Sequence, residues 1–157
     1  MNKERHALDI AKYIVYRSWE IDKPVTNLRV QYILYILQLT KIRNDELPLF
    51  EENFKCCEEG FIIPDVFDYY KEYGFTIIPK TTETLLYNSE KKILEIIPLK
   101  FDYLSTEEKI FINAGIDFTL KYPTSKIKEK IKSTLIFNHY YRKKKEVGIE
   151  ILKRYYS

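Results

Sequence analysis

The sequence predicts a mainly α fold: one compact helical domain over residues 1–157, of about six helices, with a small β element in the middle. Three observations lead there. Apolar residues recur at three- and four-residue spacing through most of the chain, which is the helical period. Prolines and glycines fall between those periodic stretches rather than inside them. A chain of 157 residues buries roughly 70% of its unfolded surface, enough for one core without disulfides or metals.

Residues 5–21 read as the first helix. Ile10, Tyr13, Ile14 and Ile21 share a face, and Ala7, Leu8 and Ala11 favour helix. Asp22-Lys23-Pro24 ends it, because the residue before a proline avoids the helical region. Residues 26–42 form the second, with Thr26 or Asn27 as its cap. Val30, Ile33, Leu34 and Leu37 make one apolar stripe; Leu28, Tyr32, Tyr35 and Leu39 make another beside it. A helix apolar on most sides is central and buried. Gln31 and Gln38 share the remaining face, and buried glutamines require partners. That face meets either another protein or an internal polar network.

Residues 44–63 read as irregular, with short extended pieces around 54–57 and 61–63; whether they close into a hairpin is open. Gly60 suits a positive φ there. Pro64 opens a third helix, where its missing N–H costs nothing, and Gly74 stops it. Residues 75–79 read as a short strand. In residues 80–104, Ile93-Leu94-Glu95-Ile96-Ile97 either pairs with that strand or ends a helix. Residues 105–122 form a helix announced by the capping box Ser105…Glu108. Pro123 precedes a helix over 124–136, capped by Thr124 or Ser125, and a last helix covers 138–155.

Composition narrows the function classes. Cys56 and Cys57 are adjacent, which suits neither a disulfide framework nor a metal site without nearby histidines. They fit a reducing, cytoplasmic setting. No secretory leader and no membrane-length apolar run is visible. Catalytic templates fail as well: the glycines at 60, 74, 115 and 148 are scattered, and His6 and His139 stand alone. Asp65 and Asp68 suit the dipole of the helix they open, and Glu51-Glu52 and Glu58-Glu59 read as an acidic surface. The expectation is a protein that is not an enzyme and uses no cofactor, catalytic residue or metal.

Charge is lopsided. Residues 1–120 hold 15 Lys/Arg against 20 Asp/Glu, a net of −5, and residues 121–157 hold 11 against 3, a net of +8. The run Arg142-Lys143-Lys144-Lys145 follows Tyr140-Tyr141, a pairing that can meet a phosphate backbone and stack bases. Its bland reading is a solvated helix face. The 14 tyrosines suit protein recognition, because the ring offers area at low entropic cost.

Residues 9–74 carry a series of short motifs: Asp9-Ile10-Ala11, Pro24-Val25-Thr26-Asn27-Leu28, Val30-Gln31-Tyr32-Ile33-Leu34-Tyr35, Pro48-Leu49-Phe50, and the Gly60…Pro64…Val66 spacing. In order and spacing these resemble the N-terminal half of the Panacea domain, the phage-associated or SocA-like antitoxin family. Tyr32 stands where the family has lysine, and Cys57 where it has tryptophan. The resemblance implies a prophage- or mobile-element-associated antitoxin that neutralises a cognate protein toxin by direct contact. Its alternatives are a proteolytic adaptor that delivers the toxin to a protease and a nucleic-acid-binding regulator using the basic C-terminal region. No membrane partner is implied. The family motifs converge on Gln31, Tyr35, Cys57, Glu59 and Gly60, which are the expected partner-binding residues. For Tyr35 and Gly60 the competing reading is a role in folding only.

Overall fold

A computed structural model describes residues 5–45, 47–143 and 146–156. Among the described residues there are seven α-helices, one of them central, so the chain is mainly helical. In order they are α1 (Ala7–Glu20), α2 (Asn27–Asp45), α3 (Pro64–Tyr69), α4 (Thr106–Leu120), α5 (Thr124–Lys132), α6 (Leu135–Tyr141) and α7 (Ile149–Tyr156). The strands are β1 (Phe54–Cys57), β2 (Gly60–Ile62), β3 (Glu83–Asn88), β4 (Ile93–Pro98) and β5 (Glu146–Val147). Among the described residues, no helix is long and apolar enough to cross a membrane.

The double apolar stripe of α2 decides the architecture. Val30, Tyr32, Ile33, Leu34, Tyr35 and Leu37 point in all directions around the helix and are all buried. To cover them, α1, α3, α4, α5, α7 and β2 pack against α2. α4 comes close at Gly115, which faces the Leu37 side chain. A Cβ there would lie 2.4 Å from a methyl of Leu37. Polar groups fasten the same layer: Arg29 of α2 donates at 2.7 Å to the carbonyls of Thr119, in the last turn of α4, and Tyr122, just beyond it.

Local chemistry fixes the ends of the helices. The amide of Ala7, in the first turn of α1, donates at 2.9 Å to Glu52, 45 residues away in sequence. Asp22 takes φ +58 beyond α1 and turns the chain toward Pro24. Ser105 and Glu108 form the reciprocal capping box at the start of α4. Glu108 also receives both guanidinium arms of Arg5, at 2.8 and 3.0 Å, so this cap is tied to the approach to α1.

Several expectations are corrected. Residues 75–79 form no strand; Thr26 and Ile77 make one isolated bridge, and the Ile78 amide donates to the Val25 carbonyl at 2.9 Å. The 93–97 stretch neither pairs with that segment nor ends a helix. It becomes β4, whose antiparallel partner β3 begins at Glu83. The helix over 124–136 stops at Lys132, because Thr134 folds out to accept from the Phe137 amide and starts α6. Pro123, not Thr124 or Ser125, occupies the N-cap of α5. The single last helix over 138–155 is two helices, with β5 between them. That strand joins a three-stranded sheet in the order β2-β1-β5, pairing Phe54 with Val147. The β structure therefore comprises two separate sheets, one of them completed by residues near the C-terminus.

Candidate interaction surface

Residues 54–62 do close into a hairpin, with Cys57 opposite Gly60 and the turn at Glu58-Glu59. Gly60 adopts φ +117, which side-chain-bearing residues avoid. The hairpin lies directly on α2. The Tyr32 hydroxyl donates to the Glu59 carbonyl at 2.6 Å. The Tyr35 ring stacks on Phe61 at 4.8 Å and meets Phe54 edge-on at 5.2 Å.

The two glutamines of α2 hold this region from within. Gln31 accepts from the Ile63 amide at 2.8 Å and donates to Asn27 at 3.1 Å; Asn27 in turn donates to the Phe67 carbonyl at 2.9 Å. Gln38 accepts from the Leu49 amide at 2.7 Å and donates to the Phe50 carbonyl at 2.8 Å. Each side chain thus replaces backbone pairing for a loop that has none, as buried amides and carbonyls require. Of the two readings left open for this face, the internal polar network is the one observed.

The five expected partner-binding residues therefore come together, but on different sides of the surface. Gln31 is fully buried and Tyr35 is 2% exposed. Gly60 is buried too, packed near Ile131 and the Tyr32 ring. Only Cys57 and Glu59 reach solvent, and both do so partly. The acidic turn is engaged within the chain: Glu59 pairs with Lys128 at 3.0 Å, and Glu58 with Lys132 at 3.0 Å. The Tyr141 hydroxyl also donates to Glu58 at 2.6 Å; that bond and the Lys132 ammonium hold the Glu58 carboxyl below its usual range.

Burial likewise sets the thiols. It pushes Cys56 up from 9.0 to about 11, helped by the neighbouring Cys57, and it raises Cys57 as well. Neither thiol is a ready nucleophile at neutral pH. Burial also raises the Tyr35 hydroxyl, with Tyr156 of α7 as a lesser cause. That hydroxyl has no hydrogen-bond partner of good geometry. His139 hydrogen-bonds the Tyr155 hydroxyl, and His6 lies 3.6 Å from Glu52. Among the described residues, no three His, Cys, Asp or Glu side chains gather as a metal-binding group. Of the basic run, Arg142 and Lys143 are exposed at the end of α6, while Lys144 and Lys145 lie outside the described residues.

One unpartnered apolar surface was not anticipated, the hairpin β3–β4. Its register places Leu85 opposite Ile96 and Tyr87 opposite Leu94, so these four side chains share one face. They are exposed by 65%, 69%, 59% and 67%. Phe75, on the loop leading to the hairpin, is 85% exposed. Among the described residues the sheet has two strands, so each has an outer edge with no described strand beside it. Two-stranded sheets are marginal in water, and apolar ones with open edges are templates for a further strand. The signal available in sequence was the density of apolar residues from Leu85 to Tyr87. Because it lacks polar alternation, it does not declare a strand.

Between this hairpin's base, α1 and α3 lies a cleft of about 280 Å³. Tyr16, Tyr69, Tyr70 and Tyr73 line it, with Lys12. Comparison with protein-family models, curated proteins and solved structures gives no match to this chain.

Proposed function

We propose that this chain is a protein-binding domain that neutralises a cognate toxin by direct contact, as its resemblance to the Panacea-domain antitoxins implies. The observation that carries the reading is the bare apolar face of β3–β4, formed by Leu85, Tyr87, Leu94 and Ile96. A contiguous apolar face of this kind is the mark of an interaction site. The occupant that fits is a partner protein laying an extended apolar segment along an open edge. Main-chain hydrogen bonds would supply affinity, and alternate side chains would supply specificity.

Magnitudes support occlusion as a mechanism. Covering these four side chains is worth roughly 1–2 kcal/mol each at their present exposure. A nanomolar complex needs about −12 kcal/mol in total. The hairpin can therefore anchor an interface of ~1,600 Å² without supplying all of it. In this reading Gln31, Tyr35 and Gly60 support the fold beneath the platform, while Cys57 and Glu59 lie at a separate, partly exposed edge.

The test is co-expression with the product of the adjacent gene, scoring growth and recovery of a complex. Rescue with a stable complex, lost on the paired change Leu85→Asp and Ile96→Asp, is the expected result. Rescue of growth without complex formation would exclude direct masking. Full rescue and binding by the paired variant would remove the hairpin from the interface.

A further inference from the structure

We propose that the tyrosine-lined cleft at the base of β3–β4 is a cation site, taking an organic cation such as a guanidinium or a polyamine ammonium group. This does not depend on the toxin reading. Tyr69 and Tyr70 stand perpendicular, with ring centroids 4.8 Å apart, and form two walls of a corner. Lys12 already places its ammonium over the Tyr69 ring, 5.3 Å from the centroid. The cleft thus holds one cation from its own chain, which shows the kind of charge its walls accept. Aromatic faces carry negative quadrupole charge and attract cations within about 6 Å.

The charge around the cleft has the same sign of preference. Glu72 and Glu83 line it, against the single cation Lys12. Among the described residues, neither carboxylate forms an ion pair with lysine or arginine. The lining therefore carries a net charge of −1 at neutral pH, with Lys12 counted (two carboxylates, one ammonium). An anion would meet two repulsive groups and one attractive one. A cation displaces Lys12 toward solvent, gains the Tyr69 face, and lies between the two carboxylates. At about 280 Å³ the space admits a guanidinium or a short alkylammonium.

The test uses the intact chain. Trp19 is the sole tryptophan, and its indole donates at 2.9 Å to the carbonyl of Ile78, a residue of the cleft wall. Its indole resonance and the tyrosine ring resonances are followed by NMR. The probes are N-acetyl-Gly-Arg-Gly-amide, spermidine and sodium sulfate, at matched ionic strength. Saturable shifts with either cation, at roughly millimolar affinity, are expected. Response to the peptide alone points to a partner's side chain as the source, and response to spermidine alone to a free polyamine. Lys12→Gln should tighten binding about threefold, because it removes the internal competitor. The pair Glu72→Gln and Glu83→Gln should weaken it at least about fivefold. Tyr69→Phe should bind as the parent does, since the ring and not the hydroxyl is used. A flat response to both cations overturns the proposal. So does a stronger response to sulfate, or a Lys12→Gln variant that binds more weakly than the parent.

Discussion

The hairpins β1–β2 and β3–β4 are both short antiparallel pairs rich in aliphatic and aromatic residues, yet Phe54 and Phe61 are fully buried while Leu94 and Ile96 are 67% and 69% exposed. The difference lies in what surrounds each. The first lies on α2, is flanked by β5 and has its turn held by Tyr32. The second has no third strand, and its outward face touches solvent. Apolar content alone therefore says nothing of burial. The neighbours that residues far away in sequence supply decide it.

Truncations on the two hairpins should separate most widely. Phe61→Ala is expected to cost about 3–5 kcal/mol, because it empties a packed aromatic cluster. Leu94→Ala should change stability by less than about 0.5 kcal/mol. Urea unfolding of both variants measures the gap directly, and equal losses would mean that the second hairpin is as well covered as the first.

Removing the polar support comes next. Gln38→Leu leaves the Leu49 amide and the Phe50 carbonyl without their partner, at a cost of about 2–4 kcal/mol. A polar-to-leucine change at an exposed site in the β3–β4 turn, Ser89→Leu, should cost well under about 1 kcal/mol. Thermal melts of the pair would test whether the glutamines are what holds the loops to α2.

A smaller effect of opposite sign is expected at Tyr35. Its buried hydroxyl lacks a partner, so Tyr35→Phe should raise stability by up to about 1 kcal/mol while keeping the stack on Phe61. A loss of that size instead would reveal a working bond to Tyr156.

The smallest effect concerns pH. Because the Cys56 thiol is pushed up to about 11, its contribution to stability is complete below its ordinary value of 9.0 and is lost as pH rises through about 11. The accompanying prediction is differential alkylation. Iodoacetamide at pH 8 should modify the partly exposed Cys57 first, and Cys56 only when the sheet opens. Simultaneous labelling would mean that β1 frays as readily as β3.

How much of this was legible in sequence follows the same divide. Helices α1, α2 and α4 declare themselves through period and caps, since both are local signals. Gln31 and Gln38 were readable as groups needing partners, although their partners at Ile63 and Leu49 could not be named without the fold. Strand β5 was illegible because two residues pair with Phe54 and Lys55 across more than ninety positions. The break at Thr134 was hidden by Leu135, which continues the four-residue spacing of Ile127 and Ile131. The hairpin that carries Cys57, Glu59 and Gly60 lies on α2, and burial turns three of the five expected contact residues inward, which no local pattern declares.

Strand β5 also has a consequence for assembly. The sheet at the heart of the molecule is finished only by Val147, and α7 covers α2 only after that. A nascent chain must therefore extend past β5 and α7 before the central helix is shielded. A cut between α6 and β5 would have the converse outcome, separating β5 and α7 from the rest and laying bare tyrosines and leucines that chaperones and proteases seek. The lifetime of the protein in a cell would then be governed by a strand of two residues.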